Sequence, residues 1–205
     1  MTEIKKTRSE LKREAIIEAA ITAFHNNGIN ETSMDTIAQL ANVSKRTVYN
    51  HFDSKENLVT QIFKEMWLKS QTLSEQAYDA SGSLQTQLET ILKGEMCCMA
   101  CPTYIEMVRF ALGYFIHKPE EMRDYSDEFM KADTTLKRWI KAAVNDNKLK
   151  PLDVEVANNQ LLSLLKGDAF WPQVLRRDPC LTDAEQEQLI SQSASMFLAF
   201  YQVNE

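Results

Sequence analysis

A short polar segment, Lys45–His51 with the sequence KRTVYNH, carries side chains that could recognise nucleic acid. Lys45 and Arg46 are cations, and the threonine, tyrosine, asparagine and histidine that follow add hydroxyl, amide and imidazole groups. Cations suit DNA phosphates, and planar or amide donors suit the edges of bases. Because a segment this polar has little reason to form for packing alone, we interpret it as a candidate DNA-reading helix.

Two short helices joined by a tight turn would position that segment. Apolar spacing predicts one helix over residues 34–41 and a second over residues 45–51, with Asn42-Val43-Ser44 between them. Asparagine tolerates a positive φ, and a serine can cap the helix that follows it. For the first helix we predict a capping box with Thr32 as the cap and Asp35 reaching back. Helices connected in this way form a helix-turn-helix.

An apolar set would hold these two helices against the helix that precedes them. Its predicted members are Phe24, Ile37, Leu40, Val43, Val48 and Phe52. Burial of this set turns the polar side chains outward. We predict base contacts from Lys45, Arg46, Tyr49 and Asn50. We predict phosphate contacts from Ser33, Thr36, Thr47, His51 and Lys55, and we add Ser44 to the DNA-binding set.

The segment from Gly28 to Phe63 resembles the signature of the tetracycline-repressor (TetR) family of transcriptional regulators. The matching motifs are Gly28, Thr32-Ser33, Ile37-Ala38, Val43-Ser44, Val48-Tyr49, His51-Phe52 and Ser54-Lys55-Glu56-Asn57-Leu58. The resemblance covers about residues 8–63. It implies a helix-turn-helix DNA-binding regulator, most often a repressor, whose C-terminal helices bind a small effector and form a homodimer.

Two positions depart from the family pattern. Asn42 stands where the turn usually has a glycine, and asparagine still permits a positive φ. Arg46 stands where the reading helix often has a glycine. We expect this additional cation to alter the preferred operator sequence.

Charge is distributed unevenly along the chain, which has 205 residues and a net charge of −6. Residues 1–60 hold eight Lys or Arg and eight Asp or Glu, whereas residues 61–205 hold 15 and 21. DNA binding needs a local basic footprint rather than a basic protein, so the acidic balance does not exclude it. Lys5, Lys6 and Arg8 precede the first helix and form either a minor-groove arm or a solvated tail.

The whole chain is predicted to be all-α. It has only five glycines and five prolines, and apolar residues recur with helical spacing without sustained alternation. We predict the nine-helix TetR-type fold, with a DNA-binding domain over residues 1–54 and a ligand-binding and dimerisation domain over residues 55–205. The later helices are predicted over about residues 53–78, 84–100, 102–118, 119–149, 153–172 and 182–203, the last opened by a Thr182–Glu185 capping box.

Large, adaptable side chains mark the predicted effector site. The set comprises Met96, Met99, Met107, Phe110, Tyr114, Phe129, Trp139 and Trp171. The resemblance places these residues on helices that line a ligand cavity in the TetR family, and methionines with aromatics suit a largely apolar ligand. The alternative is that the same side chains form the core of a helical bundle. Arg109 either pairs with a core carboxylate or holds an anionic ligand.

The last two long helices carry apolar residues on more than one stripe, which is typical of helices buried on two sides. The predicted dimer residues are Leu161, Leu164, Phe170, Ile190, Ala194, Phe197 and Tyr201. In the TetR family the corresponding helices form a four-helix bundle with a second subunit. The alternative is a monomer in which these residues complete a single core.

Other classes of site and function are less well supported. Cys97, Cys98 and Cys101 are interpreted first as core residues, with thiol sensing or a metal site as alternatives. No metal or cofactor is predicted, and no catalytic motif indicates an enzyme. An architectural DNA-binding protein would need a broader basic surface. Because the N-terminus lacks a signal-peptide core and residues 189–204 are too polar to span a bilayer, we expect a cytoplasmic protein.

Overall fold

The computed structural model describes residues 7–73, 77–120, 122–123 and 132–203, apart from the side chains of residues 69–73. This part of the chain contains nine α-helices, one π-helical turn at Pro172–Arg176 and no β-strand, which confirms the all-α prediction. The helices are α1 (Arg8–Asn27), α2 (Met34–Leu40), α3 (Lys45–His51), α4 (Lys55–Leu73), α5 (Leu84–Met99), α6 (Pro102–Phe115), α7 (Thr135–Asn145), α8 (Val154–Ala169) and α9 (Asp183–Tyr201). None of these helices has the length and apolar character needed to cross a membrane.

Local sequence signals account for most helix ends. Thr7 and Glu10 form a capping box that begins α1, and Gly28 follows its end with a φ of +77°. Asn42 adopts a φ of +52° between α2 and α3, as the turn prediction requires. The predicted Thr182–Glu185 capping box begins α9, because each residue bonds the other's backbone nitrogen.

The predicted cap of α2 is wrong by one residue. Ser33, not Thr32, is the N-cap, and its hydroxyl accepts a hydrogen bond from the Thr36 backbone nitrogen. Thr32 is buried, and its hydroxyl donates to the carbonyl oxygen of Gly28 at 2.8 Å. The hydroxyl therefore satisfies the end of α1 rather than the start of α2.

Two predicted helix lengths are also wrong. The helix predicted to about residue 78 is too long, because residues 77 and 78 are not helical. The helix predicted over residues 119–149 is interrupted, because residues 132–134 are not helical and Thr134 caps α7 by accepting a hydrogen bond from the Lys137 backbone nitrogen. A threonine that bonds a nearby backbone nitrogen favours a helix start over a helix interior.

The chain divides into two compact units. The N-terminal unit consists of residues up to 65 together with residues 106–119. Its core side chains are Ile16, Ala20, Phe24, Ile37, Val48, Phe52, Leu58 and Ile62. Leu40 does not join them, contrary to the sequence prediction, because it is the last residue of α2 and 55% exposed.

The C-terminal unit consists of residues 66–105 and those from 120 onward. Helices α5, α7, α8 and α9 pack around side chains that include Leu88, Ile91, Leu136, Trp139, Leu161, Leu165 and Ala194. The buried Gln87 carbonyl accepts a 3.2 Å hydrogen bond from the Trp139 indole nitrogen and a 2.9 Å bond from the Asp79 backbone nitrogen. This amide satisfies the indole donor of the unit's largest fully buried side chain.

The domain boundary at residues 54 and 55 stays a prediction.

Candidate nucleic-acid interface

Helix α3 presents its polar residues outward because a single apolar residue anchors it. Val48 is fully buried and lies on the inner face of the helix. Lys45, Arg46, Tyr49 and Asn50 are exposed, and Thr47 and His51 are half-buried at the edges. The four exposed residues are the four for which the sequence predicts base contacts. Their placement brings cationic, phenolic and amide groups together on one surface.

Matching hydroxyl pairs lie at the starts of α2 and α3. The hydroxyl oxygens of Ser33 and Thr36 are 2.9 Å apart, and those of Ser44 and Thr47 are 2.8 Å apart. In each pair the serine also caps its helix by accepting a 3.1 Å hydrogen bond from the threonine's backbone nitrogen. The structure therefore places these four predicted contact residues at equivalent positions of two short helices.

Lys45 is held by a carboxylate on the neighbouring helix. Its ammonium nitrogen lies 2.9 Å and 3.0 Å from the two carboxylate oxygens of Asp35, and 5.9 Å from the centroid of the Tyr49 ring. The hydrogen bond that the ammonium donates to the Asp35 carboxylate raises the pKa of Lys45 above its ordinary value. The predicted reach of Asp35 back to the start of α2 is wrong, because its carboxylate bonds Lys45 across the turn.

Lys55 is engaged with the backbone of its own unit. Its ammonium donates to the carbonyl oxygens of Ile29 at 2.9 Å, Asn30 at 3.1 Å and Thr32 at 3.2 Å. The nitrogen also lies 5.5 Å from the centroid of the Phe110 ring. An ammonium has three hydrogens, so these carbonyls use its full donor capacity. A phosphate contact would require breaking at least one of these bonds.

Arg46 and Asn50 differ from Lys45 and Lys55 in the partners of their side chains. Both are exposed, and no other residue in the described part of the chain forms a hydrogen bond or ion pair with either side chain. Both side chains are therefore accessible to solvent. Arg8 is also exposed at the start of α1, whereas the predicted arm residues Lys5 and Lys6 lie outside the described residues.

The predicted effector residues are divided between the two units. Met96, Met99 and Trp139 are buried in the C-terminal unit, where Trp171 is 45% exposed. Met107 is buried in the N-terminal unit, where Phe110 and Tyr114 are half-buried. Phe129 lies outside the described residues. The four buried side chains contribute to cores, and the effector site stays a prediction.

The predicted dimer residues are mostly buried within their own chain. Leu161, Ile190, Ala194, Phe197 and Phe170 are each at most 9% exposed, and Leu164 and Tyr201 are half-buried. The large apolar side chains that α8 and α9 leave exposed are instead Val156, Met196 and Phe200, at 49%, 60% and 68%. These three line a groove of about 550 Å³ together with Leu164 and Tyr201.

These three groove residues are not among those predicted from the sequence. Periodicity shows that a helix is apolar on two stripes, but it does not show which stripe faces its own core. The spacing of Met196 and Phe200, four residues apart on one helix face, is the signal that could have revealed the outer stripe of α9.

The cysteines have different surroundings. Cys98 is buried, and its thiol lies 3.7 Å from the carbonyl oxygen of Met66, which agrees with a core role. Cys97 is exposed, so its interpretation as a core residue is wrong. Cys101 and Cys180 are partly exposed. Within the described ranges, no group of three or more His, Cys, Asp or Glu is arranged to hold a metal ion.

Two family models match the chain. The model of bacterial regulatory proteins of the tetR family matches residues 16–62. The model described as AefR-like transcriptional repressor, C-terminal domain, matches residues 86–203, which is more than half of the chain. Together they include the helix-turn-helix and the helices of the C-terminal unit.

Curated relatives match a limited stretch of the chain. The chain is 42% identical over 73 residues to the "Probable acrEF/envCD operon repressor" of Escherichia coli K12, covering 35% of this chain and 31% of that protein. It is 40% identical over 52 residues to the negative regulator of the biofilm operon icaADBC from Staphylococcus aureus strain Newman, covering 25% and 28%. The chain thus spans less than a third of the length of these relatives.

Solved structures match over nearly the full length. A TetR family regulator from Pseudomonas syringae pv. tomato DC3000 is 39% identical with a TM-score of 0.72, covering 95% of this chain and 99% of the other. The flavonoid-responsive regulator FrrA is 26% identical with a TM-score of 0.65, covering 95% and 98%. Since one family model matches over half of the chain and a 39% identical structure matches almost all of it, the chain belongs to the TetR family of transcriptional regulators.

Proposed function

We propose that this protein is a cytoplasmic, homodimeric repressor that binds a palindromic operator and releases it when a small, largely apolar molecule binds. The observation that carries the proposal is the surface of α3, where Lys45, Arg46, Tyr49 and Asn50 project around the buried anchor Val48. This surface combines the cations and neutral donors that read base edges in a major groove.

The proposed contacts fall into two groups. Arg46 and Asn50 are the strongest candidates for base contacts, because arginine suits guanine and asparagine suits adenine. Lys45 and Tyr49 extend the same surface. The hydroxyls and ring that border it, from Ser33, Thr36, Ser44, Thr47 and His51, are proposed to contact phosphates. Lys55 is better supported as a brace for the loop between α1 and α2, since three carbonyls already accept its hydrogens.

The proposed dimer follows from the small reach of one reading helix. A single helix-turn-helix contacts few base pairs, so two copies related by a two-fold axis would read the halves of a palindrome. The groove of α8 and α9 supports a pairing surface there, because Val156, Met196 and Phe200 expose apolar side chains beside one another. Burying such a stripe against its symmetry copy removes apolar surface from water.

An apolar effector is supported by the methionines and aromatics of the predicted site and by the likeness to FrrA, which is a flavonoid-responsive regulator. Repression is supported by the repressors among the relatives. The proposed mechanism is a two-state linkage, in which DNA binds one form and the effector binds the other. The effector can weaken DNA binding only by the ratio of its affinities for the two forms.

Selection of duplexes tests the DNA-binding proposal. The full-length protein is incubated with a pool of random 30-base-pair duplexes at physiological salt, and bound DNA is recovered and sequenced over several rounds. We expect enrichment of one sequence with two-fold symmetry, bound at nanomolar concentration. Recovery of duplexes with no common sequence would refute the proposal. A thermal-shift screen of flavonoids and other apolar compounds then identifies effectors, because a ligand of the folded state raises its Tm.

A further inference from the structure

An acidic side chain lies within the surface proposed to contact DNA. Asp35, in the first turn of α2, binds the ammonium of Lys45, the first residue of α3, through both carboxylate oxygens at 2.9 Å and 3.0 Å. The ammonium nitrogen of Lys45 also lies 5.9 Å from the centroid of the Tyr49 ring, which belongs to the same helix, α3. Lys45 is therefore held in place in the free protein.

The fold does not require this ion pair. The side chains of Asp35 and Lys45 are 55% and 61% exposed, and exposed pairs contribute little to stability. The cap of α2 is supplied by Ser33, so Asp35 is not needed to begin the helix. A carboxylate facing a polyanion is repelled by it, which makes the position of Asp35 costly unless it serves recognition.

The pair changes the charge that α3 offers to a phosphate backbone. Of its two cations, Lys45 is neutralised by Asp35, whereas Arg46 has no ionic partner among the described residues. Sequence-independent DNA binding depends on phosphates neutralised by cations. Pairing with Asp35 therefore removes one cation from that kind of binding.

We propose that Asp35 is a specificity-determining residue that holds the Lys45 ammonium in one orientation, directed toward a base edge and away from phosphates. This inference rests on the proposed function. On unrelated DNA the lysine keeps its carboxylate partner, and the complex lacks one phosphate contact. On the operator the ammonium stays bound to the carboxylate and donates a remaining hydrogen to the O6 or N7 acceptor of a guanine. Asp35 thereby lowers non-specific affinity more than operator affinity.

The test compares two duplexes and a matched set of variants. The duplexes are the one selected by the wild-type protein and a scrambled duplex of the same length and composition. The variants are Asp35→Asn, Asp35→Glu, Lys45→Met and the double variant Asp35→Asn/Lys45→Met. Dissociation constants are measured by fluorescence anisotropy from 50 to about 200 mM salt, the range over which phosphate contacts dominate the slope. Far-ultraviolet circular dichroism verifies that each exposed-site variant is folded.

We expect Asp35→Asn to raise affinity for the scrambled duplex on the order of fivefold and to steepen its salt slope by about one. Affinity for the selected duplex should rise by less than about twofold, so the specificity ratio falls. Asp35→Glu keeps the charge and should keep the ratio. In the Lys45→Met background, the Asp35→Asn change should no longer strengthen scrambled binding, because no lysine is released.

Other outcomes overturn the inference. An equal gain on both duplexes would mean that Asp35 acts as general repulsion, and a gain that persists without Lys45 would exclude action through the lysine. An unchanged scrambled affinity would show that the ion pair does not limit phosphate contact. Failure of the wild-type protein to select any duplex would instead refute the proposed function, so the two failures are distinguishable.

Discussion

The ammonium nitrogen of Lys55 lies 2.9 Å from the carbonyl oxygen of Ile29, a residue 26 positions earlier in the chain. With the carbonyls of Asn30 and Thr32, this contact joins the first residue of α4 to the loop between α1 and α2. Gly28 and the buried Thr32 sit in the same loop. Lys55 thus stabilises the backbone that leads into the helix-turn-helix.

Replacing Lys55 with methionine should destabilise the N-terminal unit. The variant keeps the aliphatic stem but loses three charge-assisted hydrogen bonds, and because the site is only partly buried we expect a loss of about 1–2 kcal/mol. Urea denaturation followed by circular dichroism measures the change. Lys12→Met, at an exposed lysine of α1, is the control and should be neutral. An unchanged urea midpoint for Lys55→Met would show that Lys55 does not stabilise the loop between α1 and α2.

Arg46→Ala should weaken operator binding by about 1–3 kcal/mol and relax the preference at one base pair of each half-site, if the guanidinium reads a guanine edge. Arg176→Ala removes an exposed arginine of the C-terminal unit and serves as the control. Gel-shift titrations on the selected duplex and on its single-base variants provide the measurement. Equal losses on all these duplexes would show that Arg46 contacts a phosphate instead of a base.

Phe200→Asp should dissociate the proposed dimer. Phe200 is 68% exposed, so the charge does not disturb the core, whereas at Phe197, which is 3% exposed, a charge would unfold the unit. Leu175→Asp is the control, because Leu175 is 72% exposed and lies outside the groove. Sedimentation should give a 23.6 kDa particle for Phe200→Asp and twice that mass for the wild type and the control. A wild type that sediments as a monomer while binding its selected duplex would defeat the dimer proposal.

Tyr78 should make stability depend on alkaline pH. Loss of solvation, with a 2.7 Å hydrogen bond to Asp146, raises the pKa of Tyr78 from 10.0 to about 12. The folded state thus favours the neutral phenol. The resulting stabilisation is complete below the unfolded pKa of 10.0 and is lost as pH rises toward the folded pKa of about 12.

The Tyr78→Phe variant removes that titrating group. The difference in unfolding free energy between wild type and variant should therefore be constant up to about pH 9 and should shrink between about pH 10 and pH 12. Urea denaturation of both proteins at a series of pH values provides the difference, in which the titration of all other groups cancels. A difference independent of pH over this range would show that the folded pKa is not raised.

The sequence by itself determined the helices that depend on local signals. Gly28 and Asn42 need positive φ at turns, and Ser44 and Thr182 cap the helices that follow them. Each of these features involves residues within four positions of one another. Their free energies are therefore nearly the same in any tertiary context, which is why the helix-turn-helix could be predicted.

Only the tertiary structure decided which partners the charged side chains bind and which apolar side chains are buried. Asp35 binds Lys45 rather than its own helix start, and Lys55 binds carbonyls more than twenty positions away. On α9 the inner stripe is buried and the outer stripe, with Met196 and Phe200, is exposed, although both stripes contain large apolar side chains. Such partners are chosen by long-range packing, which brings together groups whose separation in the chain carries no periodic signal.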